Sequence, residues 1–457
     1  MAIEKKKFID VFVRQALENR ISLFLGSGAS ADAGYPTWKY LFEPMARELG
    51  IKIEKNTDYY KLAQYYANQF GKAELKSRIQ NAINSNNFKS ELLNELLDID
   101  FSNIWTTNFD NVIEDNYKAR NILINKVFTD ADLSNIDLNR LVNVFKMNGD
   151  ISNPEGLITT QGEFEKYHEK RRLMLMFLKR ELISNTFLFV GYSFTDHLVL
   201  DCLSELANYL NDTSTHHYAI MKDDKGNAQF KCFINDLEIR YHVHVLLVKE
   251  YSEIPKVLSQ INDKIKSKKV FISGAFNSVD VNLYKYSHEL AQKLTNSLFQ
   301  KDYRIVNGIG RSFGTHIIGY ANEYLAKHGV KNIQNHLIIK PFVGNKETSD
   351  KEKNHSRAEV IGKCGVAIFV FGDKMNSESI NVSGVMQEFE IARKLHKVII
   401  PIAYPNMISN DIWELIKDNI TEFPYLEGKL DYLTSKCQID KVIKTIVQIL
   451  DSVQKSL

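Results

Sequence analysis

The sequence predicts an α/β protein with two doubly wound parallel sheets, and three features carry that prediction. Short apolar runs recur along the chain, at residues 21–25, 187–190, 270–272, 304–306, 337–339, 366–371 and 398–402. Continuous runs of this kind suit strands buried on both faces, as in a parallel sheet covered by helices. Glycine follows several of them (Gly26, Gly191, Gly274, Gly308, Gly372), where such a fold turns from strand into helix. Any one of these glycines alone would mark only a tight turn. The third feature is a polar, basic stretch at 262–269 that ends a helical pattern and leads straight into a new strand–turn unit at 270–275. It divides the chain into domains of about 1–265 and 270–457.

Length and composition agree. At roughly 100–200 residues per domain, 457 residues favour two or three domains. Hydrophobic residues make up 44% and charged residues 25%, an ordinary globular balance. Lys and Arg total 58 against 56 Asp and Glu, a formal charge of +2, which disfavours nucleic acid as a main partner. Cys202, Cys232, Cys364 and Cys437 are too far apart in sequence for a zinc module or a disulfide scaffold, and a reducing cytoplasm is expected. No bound metal is expected. Asp10 and Arg14 interrupt the apolar stretch after Lys5, Lys6 and Lys7, so no signal peptide is read. The apolar runs are too short to span a bilayer, so no membrane partner is expected. Residues 51–97 look helical; their cluster of Tyr59, Tyr60, Leu62, Ala63, Tyr65 and Tyr66 reads as the core of an inserted helical subdomain, not as a ligand box.

The sharpest motif follows the first run: Leu25-Gly26-Ser27-Gly28-Ala29-Ser30-Ala31-Asp32-Ala33-Gly34-Tyr35-Pro36. Gly26 and Gly28 would let the backbone approach a pyrophosphate, with a helix N-terminus behind them. The motif lacks the Lys-Ser/Thr ending of a Walker loop, which disfavours nucleoside triphosphate hydrolysis. This loop resembles that of the sirtuin family, Gly-Ala-Gly-x-Ser-x-x-x-Gly-x-Pro. Three further blocks resemble sirtuin blocks in the same order: Thr106-Thr107-Asn108-Phe109-Asp110, Lys146-Met147-Asn148-Gly149-Asp150 and Gly191-Tyr192-Ser193-Phe194. The resemblance implies a Rossmann-like domain that binds NAD+ through Gly26, Ser27, Gly28, Ser30, Gly34, Asn108, Asp110, Gly191 and Ser193. It also implies that Asn108 orients the ribose hydroxyls or a water and that Asp110 supports the pocket. Asp110 could instead be a helix N-cap.

Three departures refine that expectation. No cysteine quartet lies between the blocks, and Thr37-Trp38 stands where deacylase sirtuins carry Asp-Phe-Arg. Both weaken a protein-deacylase reading and favour the sirtuin-like enzymes that cleave NAD+ itself. The third departure is chemical: Asn148 occupies the place of the family's catalytic histidine. An amide has no lone pair basic enough to take a ribose proton, whereas imidazole titrates near 6.5, so slow or absent turnover is expected. An engineered substitution is favoured over a natural variant because the neighbouring motif residues are intact; the sequence leaves both open.

The second domain has glycine turns of its own at Ser273-Gly274-Ala275 and Asn307-Gly308-Ile309-Gly310-Arg311-Ser312-Phe313-Gly314. Arg357, Gly372-Asp373-Lys374 and residues 383–389 follow. Glycine turns beside cations suit a phosphate-bearing ligand, and no nucleophile with a paired base is evident, so a sensor is expected. The pattern resembles the SLOG family of nucleotide-signal domains, and a sirtuin-like domain followed by a SLOG domain is the layout of effectors in Thoeris antiphage defence. The resemblance extends to Tyr167 and residues 187–196. It implies that a cyclic ADP-ribose isomer, made by a Toll/interleukin-receptor-type partner enzyme, binds at Gly274, Ala275, Arg311, Phe342, Arg357, Lys374, Gly384 and Glu388, and that NAD+ hydrolysis follows. A homo-oligomer, a tetramer or larger, is expected to carry the signal between domains. The alternative is a non-catalytic NAD+ or nucleotide sensor that acts through assembly.

Overall fold

The computed structural model describes residues 2–54, 57–83, 90–136, 141–194, 197–210, 214–342, 349–374 and 384–456. Thr195, Asp196 and Ser383, which fall in the stretches quoted above, lie outside them. The chain forms two compact units, residues 1–262 and 263–457. The division falls within the helix Ile254–Ser267, so the polar stretch is the end of a helix, and Lys268 alone separates it from the next strand.

The first unit holds seven strands: β1 (Ile21–Leu25), β2 (Asn103–Thr106), β3 (Ile124–Val127), β4 (Val142–Lys146), β5 (Thr186–Val190), β6 (His217–Lys222) and β7 (Val243–Val248). They pair in the order β3-β4-β2-β1-β5-β6-β7, all parallel. Every residue of β1 and β5 is buried, which is why both read as continuous apolar runs. The winding reverses between β1 and β5, and in such sheets ligands bind at the carboxyl ends beside the reversal.

Strands β2 and β4 escape that pattern because each carries a buried asparagine. The Asn143 amide donates to Asn103 Oδ1 at 3.0 Å, and Asn103 donates to Glu181 Oε1 at 3.0 Å. Glu181 also accepts from Trp105 Nε1 at 3.0 Å and from the Ser22 hydroxyl. Burial raises the Glu181 pKa and these hydrogen bonds oppose it. Glu181→Ala would strand buried donors at roughly 1–3 kcal/mol for each left unsatisfied. The expected result in urea unfolding is a loss of about 3 kcal/mol or more. A loss under about 1 kcal/mol would mean that the donors find other partners.

The second unit holds β8 (Lys269–Ser273), β9 (Arg304–Asn307), β10 (Leu337–Ile339), β11 (Val366–Val370) and β12 (Val398–Ile402), parallel in the order β10-β9-β8-β11-β12. Its reversal lies between β8 and β11. No helix among the described residues is long and apolar enough to cross a membrane.

Candidate functional site

In the first unit the loops after β1 and β5 lie backbone against backbone. The Gly28 N–H donates to the Gly191 carbonyl at 3.0 Å. A Cβ on Gly26 would lie 2.3 Å from that carbonyl oxygen, and one on Gly191 would lie 2.3 Å from the Ala29 nitrogen. Gly191 also has φ +66°, a left-handed conformation that favours glycine. The glycines are therefore required by loop packing itself, apart from any approach to a pyrophosphate. The helix they open, Ser27–Asp32, has only six residues, and Gly34 follows with φ +86°. Ser27 is half-buried, Ser30 buried and Ser193 exposed.

The loop after β2 meets the helix that follows β1. The Asn108 amide donates to Ser30 Oγ at 2.9 Å, while the buried Asn108 Oδ1 accepts no hydrogen bond among the described residues. Asp110 accepts from the Val112 N–H at 3.0 Å and bonds the Ser30 hydroxyl; it stands one residue before the N-cap of the helix Val112–Ala119, which is Asn111, so Asp110 is not itself the N-cap. Burial raises the Asp110 pKa, and the Lys146 ammonium is the largest opposing influence.

The loop after β4 supplies Asn148, which is fully buried. Its amide donates to the Tyr60 hydroxyl at 3.0 Å and to the Thr107 carbonyl at 3.3 Å, and its Oδ1 is left without a partner among the described residues. Tyr60, which sequence reasoning assigned to the core, is half-buried and reaches Asn148. Tyr66, Leu62 and Ala63 do pack there, but the Tyr60 ring lies against Trp38 (5.3 Å) and Phe164 (4.6 Å) with its hydroxyl on Asn148. The tyrosine cluster was visible in sequence; which hydroxyl meets Asn148 was not. Two orphaned carboxamide oxygens, with Ser30 and Asp110 alongside, present acceptors for the hydroxyls of a ribose. An unpaired buried acceptor costs free energy that a ligand hydroxyl would recover.

In the second unit a cleft of about 270 Å³ opens at the carboxyl ends of β8, β9 and β11. Gly274, Ala275, Phe342, Gly384 and Glu388 are among the residues that line it. Arg357 borders it, its guanidinium 5.6 Å from the Phe342 ring centre and its Nε 3.6 Å from Glu388 Oε1. Arg311 and Lys374 do not line the cleft. Arg311 is exposed and ties the loops through its carbonyl, which accepts from the Phe276 N–H; Lys374 pairs with Asp411 at 2.7 Å. Sequence reasoning missed Asp373 as a lining residue; its carboxylate accepts from the Asn277 N–H at 2.7 Å and joins the loops after β11 and β8. A Cβ on Gly308 would lie 2.3 Å from the Phe342 ring, so a larger residue there would displace that ring. Burial pushes the Glu388 carboxyl up to about 7, against the Ser273 hydroxyl at 2.5 Å and the Arg357 charge. Glu388 can therefore donate as well as accept near neutral pH. Among the described residues, no group of three or more His, Cys, Asp or Glu is arranged to hold a metal.

Two parallel sheets, each with close-packed glycine turns beside its reversal point, carry a SIR2-like domain followed by a SLOG domain. Residues 102–242 match the SIR2-like domain, and residues 253–453 match the Sir2- and TIR-associating SLOG family. The chain is 30% identical to the NAD(+) hydrolase ThsA of Enterococcus faecium, covering 99% of this chain and 100% of that protein. It is 28% identical to the NAD(+) hydrolase ThsA of Bacillus cereus (strain MSX-D12) over 97% of each. The chain belongs to the ThsA family.

Proposed function

We propose that this chain is an NAD+ hydrolase of antiphage defence, cleaving the bond between nicotinamide and ribose when a cyclic ADP-ribose isomer occupies the second unit's cleft. The observation that carries the reading is the pair of buried, unpartnered oxygens on Asn108 and Asn148 beside Ser30 and Asp110. The names of the ThsA relatives support the substrate. Asn108 Oδ1 and Asn148 Oδ1 accept the ribose hydroxyls. The Asp110 carboxyl, whose pKa burial raises against the opposing Lys146 charge, would face the positive charge that grows on the ribose as nicotinamide leaves. With Asn148 in place of a base, turnover is slow. The isomer comes from a Toll/interleukin-receptor-type partner enzyme, the chain works in the cytoplasm, and a homo-oligomer, a tetramer or larger, carries the signal. Asn148 also favours one second reading, an NAD+ sensor that does not turn over.

Nicotinamide release and NAD+ calorimetry, with and without the isomer, separate the two readings. Asn108→Ala is expected to weaken NAD+ binding about tenfold while leaving the melting temperature within about 5 °C. Unchanged NAD+ affinity in that variant would remove Asn108 from the site.

A further inference from the structure

Lys146 is the last residue of β4 and is completely buried, an unusual place for a lysine unless its charge is used. Its ammonium sits between the two loops that carry the candidate site. From the loop after β2 it takes two backbone acceptors, the carbonyls of Phe109 (3.2 Å) and Asp110. From the loop after β4 it takes the Asp150 carboxylate at 2.7 Å, and from the following helix Val112–Ala119 it takes Glu114 Oε1 at 3.0 Å. Asp150 is in turn fixed by Lys126 at 3.0 Å and by the Ser152 N–H at 2.9 Å. The Phe109 carbonyl is shared, since the Ile151 N–H also donates to it at 3.0 Å. Asn108 and Asn148 therefore stand on two turns that one cation holds together from beneath.

We infer that Lys146 is a positioning residue, its buried ammonium setting the separation of the Asn108 and Asn148 turns through the Phe109 and Asp110 carbonyls on one side and Asp150 on the other. The inference rests on the functional reading only for its effect on turnover. Ordinary core packing would not need a charge here: a buried ammonium is costly and persists where carboxylates and carbonyls surround it. Burial by itself would depress the Lys146 pKa, and the carboxylates of Glu114 and Asp150 outweigh it, so the cation is held. Asp150 responds in the opposite sense, driven down to about 2 although burial pulls it upward.

Two measurements on Lys146→Met test this. In the full chain as it stands, hydrogen exchange should quicken at residues 107–111 and 147–151 together, by about tenfold or more, while β1 and β5 keep their protection. In the Asn148→His form, the turnover number for nicotinamide release should fall about a hundredfold with KM little changed, the cost of a misplaced catalytic constellation. If Lys146→Met fails to fold, Asp150→Asn, which weakens only one arm of the clamp, should quicken exchange at 147–151 and leave 107–111 protected. Unchanged exchange in both turns, or a uniform rise across the sheet, would overturn the inference. Altered exchange in an Asn148→His form that releases no nicotinamide would instead count against the hydrolase reading and leave the clamp in place.

Discussion

Asn148→His raises nicotinamide release by about 10²–10⁴-fold, the usual contribution of a positioned general base. Asn148 is buried with its amide on the Thr107 carbonyl and the Tyr60 hydroxyl, and imidazole is near enough in size to occupy the site and keep the bond to the Thr107 carbonyl. An imidazole N–H on the Thr107 carbonyl would set the tautomer and leave the other nitrogen's lone pair free, which an amide cannot offer. Burial disfavours imidazolium, so the gain should persist into mildly acidic solution instead of being lost near pH 6.5. Rates at saturating NAD+ and cyclic ADP-ribose isomer, with both forms measured side by side, give the answer. Equal rates would show that position 148 does not hold the base.

Arg357→Glu weakens binding of the isomer at least tenfold, from the loss of a charge-assisted contact to phosphate of about 1.5–3 kcal/mol. The guanidinium stands at the edge of the cleft, over Phe342 and beside Glu388. Reversal of its charge also removes the cation that lowers the Glu388 pKa and sets a second carboxyl beside it, so Glu388 ionises only above its present value of about 7 and the defect should deepen as pH rises past it. Lys374→Glu should change affinity by no more than about threefold, because Lys374 is a surface partner of Asp411 and does not line the cleft. Calorimetry of the isomer against each variant, with NAD+ titrated separately, distinguishes the two. Unchanged affinity in Arg357→Glu would place the diphosphate elsewhere, and a large loss in Lys374→Glu would mean that the ion pair opens to meet the ligand.

From sequence, Arg357 and Lys374 were equivalent: each a cation near a glycine turn. Their neighbours separate them, since one faces Glu388 and Phe342 and the other an exposed aspartate on a different helix. The same limit explains Tyr60. Helical periodicity places tyrosines on a face but does not say which hydroxyl will meet a loop 88 residues further on.

The sequence by itself determined the two-sheet α/β architecture and the order of the site blocks. Strands buried on both faces are largely apolar, as in β1, β5, β8, β11 and β12, and close backbone approach demands glycine at Gly26 and Gly191. Both constraints are local and leave a mark in the residues themselves. Tertiary structure alone decided where the buried polar groups find partners. Asn103 and Asn143 sit within strands because Asn143 reaches Asn103 and Asn103 in turn reaches Glu181. His217 opens β6 as a buried neutral imidazole that accepts from the Phe187 N–H, with burial pushing its pKa down to about 3. Lys146 is buried because two loops and a helix surround it with acceptors. A polar residue is tolerated in a core only when its partners arrive from elsewhere in the chain, and a one-dimensional pattern does not record that arrival.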